Sequence, residues 1–169
     1  MSIEVQSYLD SLPDDVIKID LCNQNLSMLP DLSRFTNLKY LECSNNMLTS
    51  LPNLPKLNET LIEFHCEKNK LTQLPELNAC LRLLYCSDNF LTSLPEFNED
   101  LIEVYCFNNN LTSFPELNPD FHTTLIYVKY DNNPIWDDLI EKTRIDNMLE
   151  QIHQTYLDTY DEKYLRSNC

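Results

Sequence analysis

The chain has 169 residues, 43% of them apolar, and its 27 acidic side chains against 12 basic ones give a formal net charge of −15. That length fits one domain. The charge excludes nucleic acid, whose phosphates need a basic surface, and an anionic membrane surface; it serves either solubility or the steering of a basic partner.

Residues 1–15 read as an N-terminal cap, with Ile3, Val5, Tyr8, Leu9 and Leu12 available to cover an open end of core. From residue 16 to 135 one phrase returns six times, most clearly over 81–95 and 101–115, with starts at Val16, Leu38, Leu61, Leu81, Leu101 and Leu125 spaced 22, 23, 20, 20 and 24 apart. Such a period means a solenoid whose coils bury their apolar faces against one another. Each coil leaves through a proline (Pro30, Pro52, Pro75, Pro95, Pro115) followed by an apolar residue (Leu32, Leu54, Leu77, Phe97, Leu117). Proline fixes φ and discourages helix, so this side is expected to be extended or polyproline-like. Only residues 31–37 of the first coil leave room for a helical turn.

Residues 136–169 change period. Trp136, Leu139, Ile140, Ile145, Met148, Leu149, Ile152, Tyr156, Tyr160 and Tyr164 mostly fall three or four apart, which predicts a helix. Asp137 and Asp138 stand at its start and Arg166 near its end, as the helix dipole prefers. This C-terminal helical cap is longer than one coil is wide, so its distal half is expected to pack back along the solenoid or to meet a second chain.

Inside each repeat a short strand alternates its faces. Leu41 and Cys43, Phe64 and Cys66, Leu84 and Cys86, Val104 and Cys106 therefore point inward as columns. The cysteines read as small buried hydrophobes. A straight column does not wrap a tetrahedral ion, so no metal site is expected. With no signal-peptide pattern at the start and an odd cysteine count, the chain is assigned to a reducing, cytoplasmic compartment. Gln24, Asn46, Asn69, Asn89, Asn109 and Asn133 form an amide column predicted to satisfy backbone groups of adjacent coils. Asn58, Asn78 and Asn98 form a second row that serves the return turn. The chain contains no glycine, so positive-φ turns fall to asparagine, with Asn45, Asn46, Asn108, Asn109, Asn110, Asn132 and Asn133 as candidates.

Outward strand positions build three columns on the concave face: Lys18, Tyr40, Glu63, Leu83, Glu103, Tyr127; then Asp20, Glu42, His65, Tyr85, Tyr105, Lys129; then Cys22, Ser44, Glu67, Ser87, Phe107, Asp131. Tyr85, Tyr105, Phe107 and Tyr127 gather there beside Leu83, with Glu63, His65, Glu67 and Glu103 around them. Aromatic clusters rimmed by charge are what interface cores look like. Equally, Tyr and Phe suit strands, and the C-terminal segment could lie over them. Glu76, Glu96 and Glu116 form a like-charged row on the other side, read as a solvated ladder. No phosphate loop, metalloprotease motif or nucleophile–base spacing occurs, so neither catalysis nor a cofactor is expected.

The L-x-x-L-x-[L/C]-x-x-N-x-L phrase over residues 16–135 resembles the leucine-rich repeat, and its Leu-Pro-x-Leu exits resemble the bacterial LPX-type subclass found in secreted effectors. The resemblance implies a right-handed α/β-type solenoid, mostly β, with short parallel strands on the concave face. It also implies a non-enzymatic module that binds a protein partner, such as a host protein with a basic surface. Some LPX proteins carry a large ligase domain with a Cys-x-Asp nucleophile; about 34 residues follow the repeats here and contain no Cys-x-Asp, and Cys86-Ser87-Asp88 belongs to a repeat. The glycine-free, Asn-rich style is also similar to leucine-rich repeat proteins of giant DNA viruses. Two alternatives stay open: an assembly protein forming a homodimer through the C-terminal helix, and a regulatory subunit of an enzyme.

Overall fold

Each coil contributes one three-residue strand whose central side chain points inward. These strands are β1 Lys18–Asp20, β2 Tyr40–Glu42, β3 Glu63–His65, β4 Leu83–Tyr85, β5 Glu103–Tyr105 and β6 Tyr127–Lys129. They form one parallel sheet in sequence order. The structure, a computed structural model, describes residues 3–52 and 60–167, with side chains described from residue 4 to 158. Leu54 and Asn58 and the side chains of Ile3, Tyr160, Tyr164 and Arg166 lie outside that range.

The register stacks Ile19, Leu41, Phe64, Leu84, Val104 and Val128 as one inward column. Two residues further along, Leu21, Cys43, Cys66, Cys86, Cys106 and Tyr130 are all buried. Each fully buried Leu contributes roughly 1.5–3 kcal/mol, so stability is spread along the length rather than held at one centre. Burial pushes the thiols of Cys43, Cys66, Cys86 and Cys106 well above their ordinary range. The ladder cysteines therefore act as apolar filler.

Strand ends are set by one left-handed residue per coil: Asn23, Asn45, Lys68, Asp88, Asn108 and Asn132, with φ between 53° and 60°; Asn25 adds a second in the first coil. Asn46, Asn109, Asn110 and Asn133 do not carry positive φ, which corrects the broader expectation for the asparagines. Asn46, Asn109 and Asn133 follow the turn and bury their amides instead. Lys68 takes the turn at φ 53°, a conformation that costs an ordinary L-residue about 1 kcal/mol or more and that asparagine tolerates. Lys68→Asn is expected to raise stability by about 0.5–1 kcal/mol, read as a higher urea midpoint at unchanged slope.

The amide column is built from Asn46, Asn69, Asn89, Asn109 and Asn133. Asn89 is typical: its Nδ2 donates to the carbonyls of Cys66 (3.0 Å) and Cys86 (3.1 Å), and its Oδ1 accepts from Leu71 N–H (3.0 Å). Gln24 does not join the column. It is exposed, and its amide donates to Cys22 O, because its longer side chain folds back on its own turn. On the return side Asn98 Nδ2 donates to Asn78 O (2.7 Å) and Leu81 O (3.0 Å). In the last coil this position is taken by His122, buried with Nδ1 accepting from Asn118 N–H at 2.9 Å.

The ends are closed by helices. In α1, Ile3–Ser11, Val5 and Leu9 enter the core. Arg34 fastens this helix: its guanidinium donates to Leu9 O (2.6 Å) and Leu12 O (3.1 Å) and pairs with Asp14. That role for Arg34 replaces the helical turn expected over 31–37, where only isolated turns form. At the other end a 3-10 helix, Pro134–Trp136, leads into α2, Leu139–Ser167. Asp138 caps α2, accepting from the N–H groups of Ile140 and Glu141. Ile145 and Ile152 are fully buried and Met148 and Leu149 pack beside them, but Leu139 and Ile140 are 75% and 85% exposed. The helical stripe therefore starts a turn later than the spacing predicts, since the first turn overhangs the coil.

Candidate functional site

Parallel pairing brings like positions of successive coils about 4.8 Å apart, close to the thickness at which flat rings stack. The register aligns Glu63, Leu83, Glu103 and Tyr127 in one outward row and His65, Tyr85, Tyr105 and Lys129 in the next. Glu67, Ser87, Phe107 and Asp131 continue a third row, tied by Lys68 N–H to Ser87 O, Asp88 N–H to Phe107 O and Asn108 N–H to Asp131 O. All nine sequence-predicted site residues thus share one face of the sheet.

Four of them form a continuous stack. His65 lies on Tyr85 with centroids 4.2 Å apart and planes 10° apart, and Tyr85 lies on Tyr105 at 4.9 Å and 15°. Tyr127 joins diagonally from the neighbouring row, 5.2 Å from Tyr105 and tilted by 44°. Lys129, the register partner of Tyr105, leans away and sits 4.7 Å over the Phe107 ring. Tyr127 remains 45% exposed. The described contacts of α2 run elsewhere, with Tyr130 donating to Asp146 Oδ1 (2.6 Å) and Lys142 lying over Trp136.

The imidazole ends the stack as a cation. His65 Nε2 bonds Glu63 Oε1 at 2.7 Å, and Nδ1 faces Glu67 Oε1 at 3.6 Å. Burial works against the charge, but the carboxylates of Glu67 and Glu63 outweigh it and raise the pKa to about 9. Glu67 is held below its ordinary value although burial opposes this, because His65 and the Ser44 hydroxyl, 2.5 Å away, bond to it. An imidazolium stabilised in the folded state contributes fully below pH ~6.5, its ordinary pKa, and loses that contribution as pH rises to about 9. The group is partly exposed, so screening leaves on the order of 1 kcal/mol. The thermal midpoint should fall between pH 6.5 and 9 by that increment relative to a His65→Gln variant, which lacks the group. Parallel profiles for the two proteins would refute it.

Ser44, Glu67 and His65 carry the residue types of a hydrolytic triad but not its order. The serine hydroxyl is on the carboxylate, and the imidazole is protonated with both nitrogens facing carboxylates, so it has no lone pair to act as a base. A second group, Asp20, Cys22 and Glu42, brings its ligand atoms within 4.8 Å of one another, which sequence reasoning did not single out. Its thiol is pushed up to about 11, first by burial and then by the Asp20 hydrogen bond, and Glu42 already pairs with Lys18 at 2.7 Å. A protonated thiol and an engaged carboxylate make a poor ligand set.

One residue departs from the expected outward face. Ser87 is 1% exposed and its Oγ has no partner, shut between its row neighbours Glu67 and Phe107. Glu103 is half-buried, like Glu63 and Glu67, and lies beside Tyr105. Burial and the Glu103 charge both raise the pKa of Tyr85 and of Tyr105. No ion pair links Glu103 to a cation among the described residues.

No protein-family model and no curated protein matches the chain. Similar solved structures include YopM from Yersinia enterocolitica WA-314, which matches 73% of this chain at 31% identity with a TM-score of 0.63. A Shigella effector leucine-rich repeat domain matches 76% at 30% identity with a TM-score of 0.65. This chain spans 25% of the length of the first and 55% of the second.

Proposed function

Since this chain is a leucine-rich repeat protein of the LPX type, we propose that it is a non-enzymatic module that takes a protein partner on the outward face of its sheet. The observation that carries this reading is the stack His65–Tyr85–Tyr105–Tyr127, four rings long and open at its Tyr127 end. Scaffold positions repeat through the coils, whereas the two rows that hold these rings change residue type along their length, from Asp20 to Lys129 and from Lys18 to Tyr127. Aromatic side chains supply large contact area at little rotamer cost, which is why they dominate interface energetics. The acidic rim favours a partner with a basic surface, and a reducing compartment suits the unpaired ladder thiols.

The Tyr105→Ala, Phe107→Ala double variant is expected to keep the wild-type circular dichroism spectrum while weakening partner capture at least tenfold, as loss of central aromatic contacts does. An unfolded variant would make those rings core, and unchanged capture would move the interface elsewhere. A second reading, self-association through α2, is favoured by the bare Leu139 and Ile140 side chains.

A further inference from the structure

We propose that the Tyr105–Tyr127 end of the stack receives an arginine side chain of the partner, with Glu103 taking the guanidinium. This rests on the outward face being the docking surface and adds the chemistry that it selects.

The chain shows the required recognition with its own residues. At the opposite end of the stack a planar cation, the His65 imidazolium, lies flat on Tyr85 at 4.2 Å while Glu63 and Glu67 face its nitrogens. The far end repeats two of those three parts. Tyr127 offers an exposed ring, and its register partner Glu103 offers a carboxylate one strand away. The planar cation is the missing part.

Charge matching points the same way. Glu42 pairs with Lys18, and Glu63 and Glu67 share His65, but Glu103 has no ion pair among the described residues. The nearest candidate cation in the register, Lys129, is engaged over Phe107. A half-buried carboxylate among aromatic rings is stabilised by a cation that sheds water easily. Guanidinium fits better than ammonium: it is flat, weakly hydrated, stacks on rings and presents paired N–H groups to a carboxylate. The 44° tilt of Tyr127 leaves a wedge beside Tyr105 instead of a closed parallel stack.

The test is an NMR titration of the full chain with a capped glycine–arginine–glycine–arginine–glycine peptide, and with its lysine counterpart, at near-physiological salt. The arginine peptide is expected to shift the ring protons of Tyr105 and Tyr127 and to bind about tenfold tighter than the lysine one. Glu103→Gln, nearly isosteric, should reduce it to the lysine level, and Glu116→Gln on the other side of the coil should change nothing. Equal binding of the two peptides, or indifference to Glu103→Gln, overturns the proposal by reducing it to general attraction toward an acidic chain. The two readings separate with a captured partner. Capture lost in the Tyr105/Phe107 double variant but kept in Glu103→Gln sinks the arginine assignment alone, whereas capture kept in both sinks the docking face and the assignment with it.

Discussion

Replacing Asn89 by alanine is expected to cost the solenoid about 3 kcal/mol, the largest effect of any exchange that removes so few atoms. The side chain sits between two coils. Without it, the N–H of Leu71 stays buried with no partner, at a cost of about 1–3 kcal/mol, and the carbonyls of Cys66 and Cys86 each lose one of two amide donors. Urea unfolding of Asn89→Ala against Gln24→Ala isolates this effect. Gln24 is exposed and its side chain bonds only within its own turn, so its exchange should stay within about 0.5 kcal/mol. Equal losses in the two variants would show that the amide column is not what binds coil to coil.

Ile145→Asp should release α2 and make the chain associate. Ile145 and Ile152 stand seven residues apart on one helix face, both fully buried, with Met148 and Leu149 alongside. An unpaired carboxylate at such a position costs several kcal/mol, more than the Tyr130–Asp146 hydrogen bond and the Lys142–Trp136 contact can offset. Detachment would uncover Tyr130 and Ile135, and a solenoid end without polar cover is sticky. Asn147→Asp adds the same charge at an exposed position and should remain monodisperse by light scattering. Matching behaviour of the two variants would mean that α2 does not close the core.

Much of this was legible because period and alternation are enough to assign faces. Once the repeat starts were aligned, the inward leucines and cysteines and the three outward rows followed, and the sheet register agrees position by position. What escaped depends on side-chain direction and on local cost. Tyr127 was assigned to its own row, yet it leans across to Tyr105 because Lys129 leaves that space for Phe107. Lys68 holds a turn that its residue type does not advertise, since ladder bonding overrides a modest backbone cost. The charge on His65 required two carboxylates from its own strand region to close on it, and spacing alone does not distinguish that from a solvated rim. Leu139 and Ile140 fit the helical period but precede the point where α2 meets the coil.

The amide column also has a direction. Every amide from Asn46 to Asn133 reaches toward the preceding coil, accepting from Leu26, Leu48, Leu71, Leu91 and Leu111 N–H. No coil is finished by its own residues, and each waits for the one after it. On the ribosome, where the N-terminal end emerges first, closure must trail elongation by one coil. The last coil has no successor, and α2, through Ile145 and Ile152, covers what another asparagine would have sealed. A chain shortened from its C-terminal side therefore always ends on an unfinished coil.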